Sequence, residues 1–206
     1  MAGLGFAQQS KNFAPVFYAG FGGGASANMV YFFPTVKQYP LMDGMGGVIF
    51  GVDVESFAGL RVEVNYIRRG WKERFDAKRS LHYSKTLSYV ELPLMSHFYI
   101  PFGGVKLLFN LGPQFGFRLS EQTSRSADGF SDIELKKMEQ RTIGQFAWGI
   151  TAGSGLSLSL GRVGTIELEA RGYFNFSSIY PTTQRDIYGR ANEFGGYAKI
   201  NYLYRL

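Results

Sequence analysis

The sequence contains no cysteine, two histidines and no long uninterrupted apolar run. Without cysteine the chain has no disulfide framework, no thiolate nucleophile and no cysteine metal site. The two histidines, His82 and His97, are too far apart in sequence to show the spacing of metal ligands. No stretch approaches the roughly 18 consecutive apolar residues of a transmembrane helix. We therefore expect no metal and no other cofactor.

What the sequence has in quantity is glycine and aromatic residues: its 206 residues include 27 Gly, 19 Phe and 13 Tyr. This composition is typical of β-rich proteins. The formal net charge of +6 is compatible with anionic lipid or nucleic acid as a partner. Nucleic acid is not predicted, because the sequence has neither a basic surface interleaved with aromatic residues nor a known nucleic-acid-binding motif.

Residues 86–118 show the clearest periodicity and parse as two extended runs joined by a turn at 101–104. In both runs apolar side chains alternate with a mixed, partly polar set. The apolar set is Val90, Leu92, Leu94, Phe98, Ile100, Val105, Leu107, Phe109, Leu111, Phe115 and Phe117. A period of two predicts β-strands with one apolar face. These strands are longer than the usual 5–6 residues or so.

The same alternation predicts eight strands along the chain. Their approximate ranges are 15–28, 44–54, 60–71, 86–100, 105–118, 142–159, 166–176 and 199–206. Residues 31–40 contain Pro34 and Pro40, and we interpret them as loop because proline interrupts a central strand. No segment with helical periodicity is evident.

Connection lengths distinguish between the possible architectures. The first, third, fifth and seventh connections are long, whereas the three between them are short. In an up-and-down meander all long loops then lie at one end, and both termini lie at the other. Even strand number, this asymmetry and the alternation predict an eight-stranded antiparallel barrel in the outer membrane of a Gram-negative bacterium, with periplasmic termini. We assign residues 8–206 to the barrel and residues 1–7 to a signal-peptide remnant.

A soluble lipocalin-like barrel that binds an apolar ligand is the alternative, with the two faces reversed. Long strands and small glycines on the polar face, such as Gly112 and Gly153, favour the membrane barrel. Aromatic residues near strand ends also favour it, because they suit the membrane interfaces. These aromatic residues are Phe17, Tyr18, Tyr66, Trp71, Phe98, Tyr99, Phe174, Phe176, Tyr202 and Tyr204.

Several motifs resemble one family of bacterial barrels. The run SYVELPL at 88–94, followed by NLGP at 110–113 and Gly116, resembles the pattern of the PorT-like outer-membrane proteins. The run GLRVEVNY at 59–66, with RGW at 69–71, is similar to the same family. The resemblance implies an eight-stranded outer-membrane barrel. Because some members of that family are accessory parts of a protein-secretion apparatus, it also makes such a role an expectation.

The polar face of the predicted strands carries charges of both signs. If this face lines a narrow lumen, each charge needs a partner, since an unpaired buried ion costs several kcal/mol. We therefore predict an ionic network that fills the lumen. Its members are Asp53, Arg61, Glu63, Glu91, Lys106, Arg118, Glu167, Glu169, Arg171, Lys199 and Arg205.

One cluster of basic residues lies at the predicted long-loop end. We expect it to contact the phosphates of lipopolysaccharide through charge-assisted hydrogen bonds. The alternative is an ordinary solvated loop. The cluster comprises Arg68, Arg69, Lys72, Arg74, Lys78, Arg79 and Lys85.

Catalytic motifs are scarce. His82 with Ser80 or Ser84 could serve a membrane lipid hydrolase, but no nucleophile elbow accompanies them. We therefore predict a non-catalytic outer-membrane protein that acts as a structural or interaction subunit. A protein partner in an outer-membrane assembly, for example a secretion apparatus, fits this role.

Overall fold

The computed structural model describes residues 13–75, 81–102, 104–126, 129–140, 142–181 and 188–206. Within these ranges eight antiparallel strands pair in sequence order, and β8 returns to β1, so the barrel is closed. The predicted fold class is confirmed. The strands are β1 Val16–Phe33, β2 Gln38–Asp53, β3 Ala58–Glu73, β4 Tyr83–Phe102, β5 Val105–Arg125, β6 Phe146–Ser159, β7 Thr165–Ser178 and β8 Arg190–Arg205.

The strands extend further than the sequence pattern indicated. Residues 31–40 were predicted to be loop, yet β1 runs to Phe33 and β2 begins at Gln38, so this connection is short rather than long. Pro40 is accommodated because the β2–β3 register shifts between Pro40 and Met45. β5 likewise continues to Arg125. These extensions lack a clear apolar alternation, which is why their sequence does not identify them.

A helix that the periodicity did not reveal lies between β5 and β6. α1 spans Asp132–Glu139, and its N-cap Ser131 forms a capping box with Glu134. Its Met138 is buried in a hydrophobic cluster that also contains Trp71, Tyr83 and Tyr180. Eight residues are too few for a helical period to stand out. Among the described residues, no helix has the length and apolar character needed to cross a membrane.

The connections distinguish the two ends of the barrel. At one end, here the turn end, the strands are joined by residues 54–57, 103–104 and 160–164. At the other, the loop end, the connections are 34–37, 74–82, 126–145 and 179–189. β1 begins and β8 ends at the turn end, so the first and last strands bring the chain there.

Apolar side chains face outward and polar ones face the lumen. Leu60 and Leu168 are 57% and 55% exposed, whereas their neighbours Arg61 and Glu169 are buried. This arrangement rules out the lipocalin-like alternative, whose lumen would be apolar. Glycine on the inner face leaves room for long side chains: a Cβ at Gly153 would lie 2.3 Å from Arg171 Cγ.

The aromatic residues near strand ends divide between the two faces. Phe17 and Tyr66 are exposed on the outside, as predicted, and so are Phe98, Phe174, Phe176 and Tyr204. In contrast, Tyr18, Trp71 and Tyr99 were predicted to belong to the outer girdles but point inward and are buried. The reason is the alternation itself, because Tyr18 and Tyr99 directly follow the outward Phe17 and Phe98.

The outward face yields a test of membrane contact. Ala170 lies midway along β7, exposed and paired with Ser154 and Ala198 on the neighbouring strands. Ala170→Arg should lower the free energy of unfolding in lipid vesicles by about 2–4 kcal/mol, because a charge would enter the bilayer midplane. The matched substitution Ala170→Leu should be nearly neutral. Equal destabilisation by both, measured by urea unfolding, would mean that this face packs against protein.

Candidate functional site

The centre of the lumen holds a charged cluster, here the central cluster. Within the described residues it comprises three carboxylates and three cations, all buried, so their formal charges cancel. β3, β7 and β8 supply all six side chains, because their inner faces carry charges at alternate positions. The members are Arg61, Glu63, Glu167, Glu169, Arg171 and Lys199.

Arg171 forms the core of the central cluster. Its guanidinium donates to both carboxylate oxygens of Glu63, at 2.6 and 3.0 Å, and to Glu169 Oε2 at 2.8 Å. Lys199 Nζ lies 2.6 Å from Glu63 Oε2. Glu63 therefore accepts from two cations on other strands. Bidentate contacts of this kind combine charge with fixed geometry, so they hold β3, β7 and β8 in one arrangement.

Arg61 forms the second bidentate pair, on the turn-end side of the cluster. Its two terminal nitrogens lie 3.0 and 2.9 Å from the two oxygens of Glu167, and its Nε donates to the Tyr18 hydroxyl at 3.3 Å. His97 Nε2 is 3.4 Å from Arg61, and its Nδ1 contacts Asn110. Asn110 in turn donates to Glu169, so amide and imidazole groups link the charged pairs.

A second ionic group lies between the central cluster and the loop end. Arg69 is paired with Glu91 and lies 3.7 Å from Glu193 Oε2. Its guanidinium also stacks over the Tyr173 ring, 4.1 Å from the centroid. Sequence reasoning missed Glu193, because β8 was predicted to begin later. Counting back in steps of two from Lys199 would have reached it.

Aromatic side chains close the lumen at the loop end. Phe32 packs against Tyr188 and Trp71, with ring centroids 4.8 and 5.1 Å apart. Tyr180 stacks on Tyr188 at 5.4 Å and approaches Trp71 at 6.2 Å. We call Phe32, Trp71, Tyr83, Tyr180 and Tyr188 the aromatic cap. Strands β1, β3 and β4 and the connection between β7 and β8 contribute to it, so the cap joins opposite sides of the barrel.

Lys85 connects the aromatic cap to the β5 extension. Its Nζ lies 2.6 Å from Glu121 Oε1 and 3.2 Å from the Tyr180 hydroxyl. Partial burial alone would raise the pKa of Glu121, but the hydrogen bonds from Lys85 and Thr142 and the charge of Lys85 lower it overall. Glu121 is therefore ionised at neutral pH and neutralises Lys85.

The remaining predicted lumen residues lie away from the central cluster. Asp53, Lys106 and Arg205 surround the opening at the turn end. Arg118 lies towards the loop end and donates to the Gly144 carbonyl at 2.6 Å. The structure thus divides the predicted set into a central cluster, a separate pair at Glu91, and peripheral members, because the strands place these residues at different heights.

The predicted basic cluster is divided in the same way. Arg69 and Lys85 were expected to contact lipid but are buried inside the barrel, because their positions on β3 and β4 have inward parity. Arg68 is ion-paired with Asp43 at 3.2 Å, and Lys72 and Arg74 are exposed. The predicted Lys78 and Arg79 lie outside the described residues.

The structure also locates the hydrolase candidate. His82 Nε2 is 3.1 Å from Ser124 Oγ on the exposed β4–β5 ribbon. Of the predicted partners, Ser80 lies outside the described residues and Ser84 pairs with Ser124 across the strands. Among the described residues no group of three or more His, Asp or Glu could hold a metal ion. His82 and Ser124 thus form an exposed pair rather than an enclosed site.

No curated protein matches the sequence. Residues 6–180 match the family model described as outer membrane protein beta-barrel domain, which does not single out the PorT-like proteins.

Similar solved structures include three outer-membrane or surface proteins. The outer membrane protein OprG of Pseudomonas aeruginosa is 10% identical, with 92% of this chain and 95% of that chain covered and a TM-score of 0.47. Ail, the attachment invasion locus protein of Yersinia pestis, is 13% identical, with coverages of 91% and 99% and a TM-score of 0.44. Neisserial surface protein A is 13% identical, with coverages of 90% and 96% and a TM-score of 0.44.

The central cluster gives a test of stability. Glu63→Gln leaves Arg171 and Lys199 with one excess positive charge, so it should lower the free energy of unfolding by about 3–5 kcal/mol. The control Glu139→Gln removes an exposed carboxylate from α1 and should have little effect. The double variant Glu63→Gln with Lys199→Gln restores neutrality and should recover part of the loss. Urea unfolding in detergent measures all three, and an unchanged midpoint for Glu63→Gln would contradict the role of the cluster.

Proposed function

The chain belongs to the family of outer membrane protein beta-barrel domains, and from this membership we propose that it is a non-catalytic structural or interaction subunit of the outer membrane. The observation that carries the proposal is the filled lumen. The central cluster occupies its middle. The ionic group of Arg69, Glu91 and Glu193 lies between that cluster and the loop end, and the aromatic cap lies at the loop end itself. An interior filled in this way leaves the outer surface, loops and turns to interact with partners.

We propose that the turn end and both termini face the periplasm and that the loop end faces outward. Short turns on the periplasmic side and longer loops outside are usual in bacterial barrels of this type. The orientation is supported by the long connections 74–82, 126–145 and 179–189, which all lie at one end. In this arrangement the aromatic cap closes the outer opening.

A more specific proposal is membership of the PorT-like family and a role as an accessory of a protein-secretion apparatus. Its support is the motif resemblance, whose residues lie at structurally important places. Glu91 of the SYVELPL run pairs with Arg69, and Asn110 of the NLGP run connects His97 and Glu169. Co-purification in mild detergent after crosslinking tests the role. It should recover secretion components with the barrel, and recovery of the barrel alone would contradict it.

Lipopolysaccharide is the lipid partner that we propose. On β3, Arg68, Lys72 and the following Arg74 form a basic patch on the loop-end side of the exposed Tyr66. Arg74 also lies over the Tyr39 ring, 5.6 Å from its centroid. A cationic patch above an interfacial aromatic residue is suitably placed for lipid phosphates.

Lipid hydrolysis is the second candidate function, favoured only by the contact between His82 and Ser124. A Ser–His pair needs an oriented base and an oxyanion hole to be effective. We therefore expect no turnover of phospholipid or lipid A by the purified protein. Turnover that Ser124→Ala abolishes would replace our proposal with an enzymatic one.

The filled lumen predicts that the protein does not conduct ions. In planar bilayers the wild type should give no steady channel current, whereas Glu167, Glu169 and Arg171 all changed to Ala should produce a leak. A matched control changes Glu55, Glu139 and Arg162 to Ala, which removes the same charges outside the lumen, and should stay closed. Regular, long-lived openings of the wild type would refute the proposal that the lumen is filled.

The basic patch predicts a lipid-dependent stability. Changing Lys72 and Arg74 to Gln should lower the unfolding temperature in membranes containing lipid A but not in neutral detergent, and added salt should reduce the difference. Arg162→Gln, at the turn end, is the control and should behave like the wild type in both media. An equal loss in the two media would indicate an ordinary structural defect instead of lipid binding.

A further inference from the structure

A cavity of about 210 Å³ opens at the turn end of the barrel. Its wall includes Tyr18, Asp53, Tyr99, Lys106, Ser157 and Arg205, which come from six different strands. Two cations and one carboxylate therefore line a single space that also has hydroxyl groups. None of the six residues of the central cluster lines this cavity, and the two are linked through Tyr18, whose hydroxyl accepts from Arg61.

The charged groups of the cavity differ from those of the central cluster in their pairing. Across the described residues, Asp53, Lys106 and Arg205 form no ion pair and no side-chain hydrogen bond. Lys106 Nζ only lies over the Tyr99 ring, 4.7 Å from its centroid. Within the described part of the chain, one oxygen of Asp53 is buried without a hydrogen-bond partner. The central charges are thus in direct ion pairs, whereas the charged side chains described at the cavity are not in direct contact with one another.

The inner wall of the cavity is closed. Tyr18 and Tyr99 are both buried, and the Tyr99 ring packs edge-on against His97 with centroids 4.2 Å apart. Behind these rings lies the paired centre of the barrel. A ligand therefore has to reach the cavity from the turn end, and it would remain on that side.

We propose that this cavity binds the carboxylate end of an amino acid or of a peptide chain. Arg205 and Lys106 supply donors for a carboxylate, for which a guanidinium fork is well suited. Asp53 supplies an acceptor for the N–H that an amino acid or C-terminal residue carries on the adjacent carbon. Ser157 offers a hydroxyl that can donate or accept.

The size and charge of the cavity limit the choice of ligand. About 210 Å³ accommodates one or two small residues rather than a folded partner. Two cations against one carboxylate leave one positive charge, which the C-terminal carboxylate of a peptide neutralises, whereas a free amino acid would also bring an ammonium group to Asp53. A doubly charged phosphate would exceed that single positive charge, so the cavity favours the singly charged carboxylate group. The inference goes beyond the proposed function and does not depend on which way the barrel lies in the membrane.

Calorimetric titration of the whole protein in neutral detergent tests the site. The probes are alanine, N-acetyl-trialanine with a free C-terminus, the same peptide as its C-terminal amide, and inorganic phosphate. The free-acid peptide or alanine should bind at least about tenfold more tightly than the amide and phosphate, because only they offer one carboxylate beside an N–H. Preference for alanine identifies a free amino acid as the source, and preference for the free-acid peptide identifies a chain end.

Substitutions locate the binding. Lys106→Gln with Arg205→Gln should weaken the best probe by about tenfold or more, and Ser157→Leu should do so by filling the cavity. Arg125→Gln with Arg190→Gln removes the same charge at the loop end and should leave the affinity unchanged. Gel mobility of unheated samples verifies that each variant is a folded barrel. Equal binding of acid and amide, equal loss in the control, or no binding at millimolar probe would each overturn the proposal.

Discussion

Charge neutralisation inside a narrow barrel is the constraint on which the structure depends. Eight strands enclose a space just wide enough for side chains, so the charges there cannot keep full hydration shells. Arg171 binds both Glu63 and Glu169, and Lys199 also binds Glu63, so the formal charges of these four residues cancel. The contacts that Arg171 and Lys199 make with Glu63 join β7 and β8 to β3, which is distant from them in sequence. The same pairs that neutralise charge therefore also fix the cross-section of the barrel.

The two ends of the barrel carry different kinds of side chain. At the loop end, rings such as Trp71 and Tyr180 pack together, and Lys85 is neutralised by Glu121. At the turn end, Asp53 and Lys106 line the cavity and form no such ion pair with any part of the chain that the structure describes. One end is thus closed by apolar packing, whereas the other is an open, charged recess. The two ends of the barrel are therefore chemically distinct, although its wall is nearly regular.

Much of the fold follows from local sequence. Alternation with a period of two identified the eight strands, and side chains such as Leu60 and Glu169 lie on the faces that it assigned. It failed at the ends, where β1 and β2 continue past the expected limits and Pro40 sits beside a register shift. Both faces of a strand that leaves the membrane can be polar, so the pattern disappears there although hydrogen-bonded pairing continues. α1 was too short to leave a period.

The sequence by itself determined which residues share a face, because a strand turns successive side chains to opposite sides. It therefore placed Arg61 and Glu63 together in a prospective lumen. Only the tertiary structure decided their partners, since Arg61 pairs with Glu167 and Glu63 with Arg171 across a closed barrel. The tertiary structure also places Arg69 and Lys85, which were expected to contact lipid, inside the barrel as buried ions. The position of a residue along the barrel axis and the closure of the barrel both depend on the register between strands, which no single strand encodes.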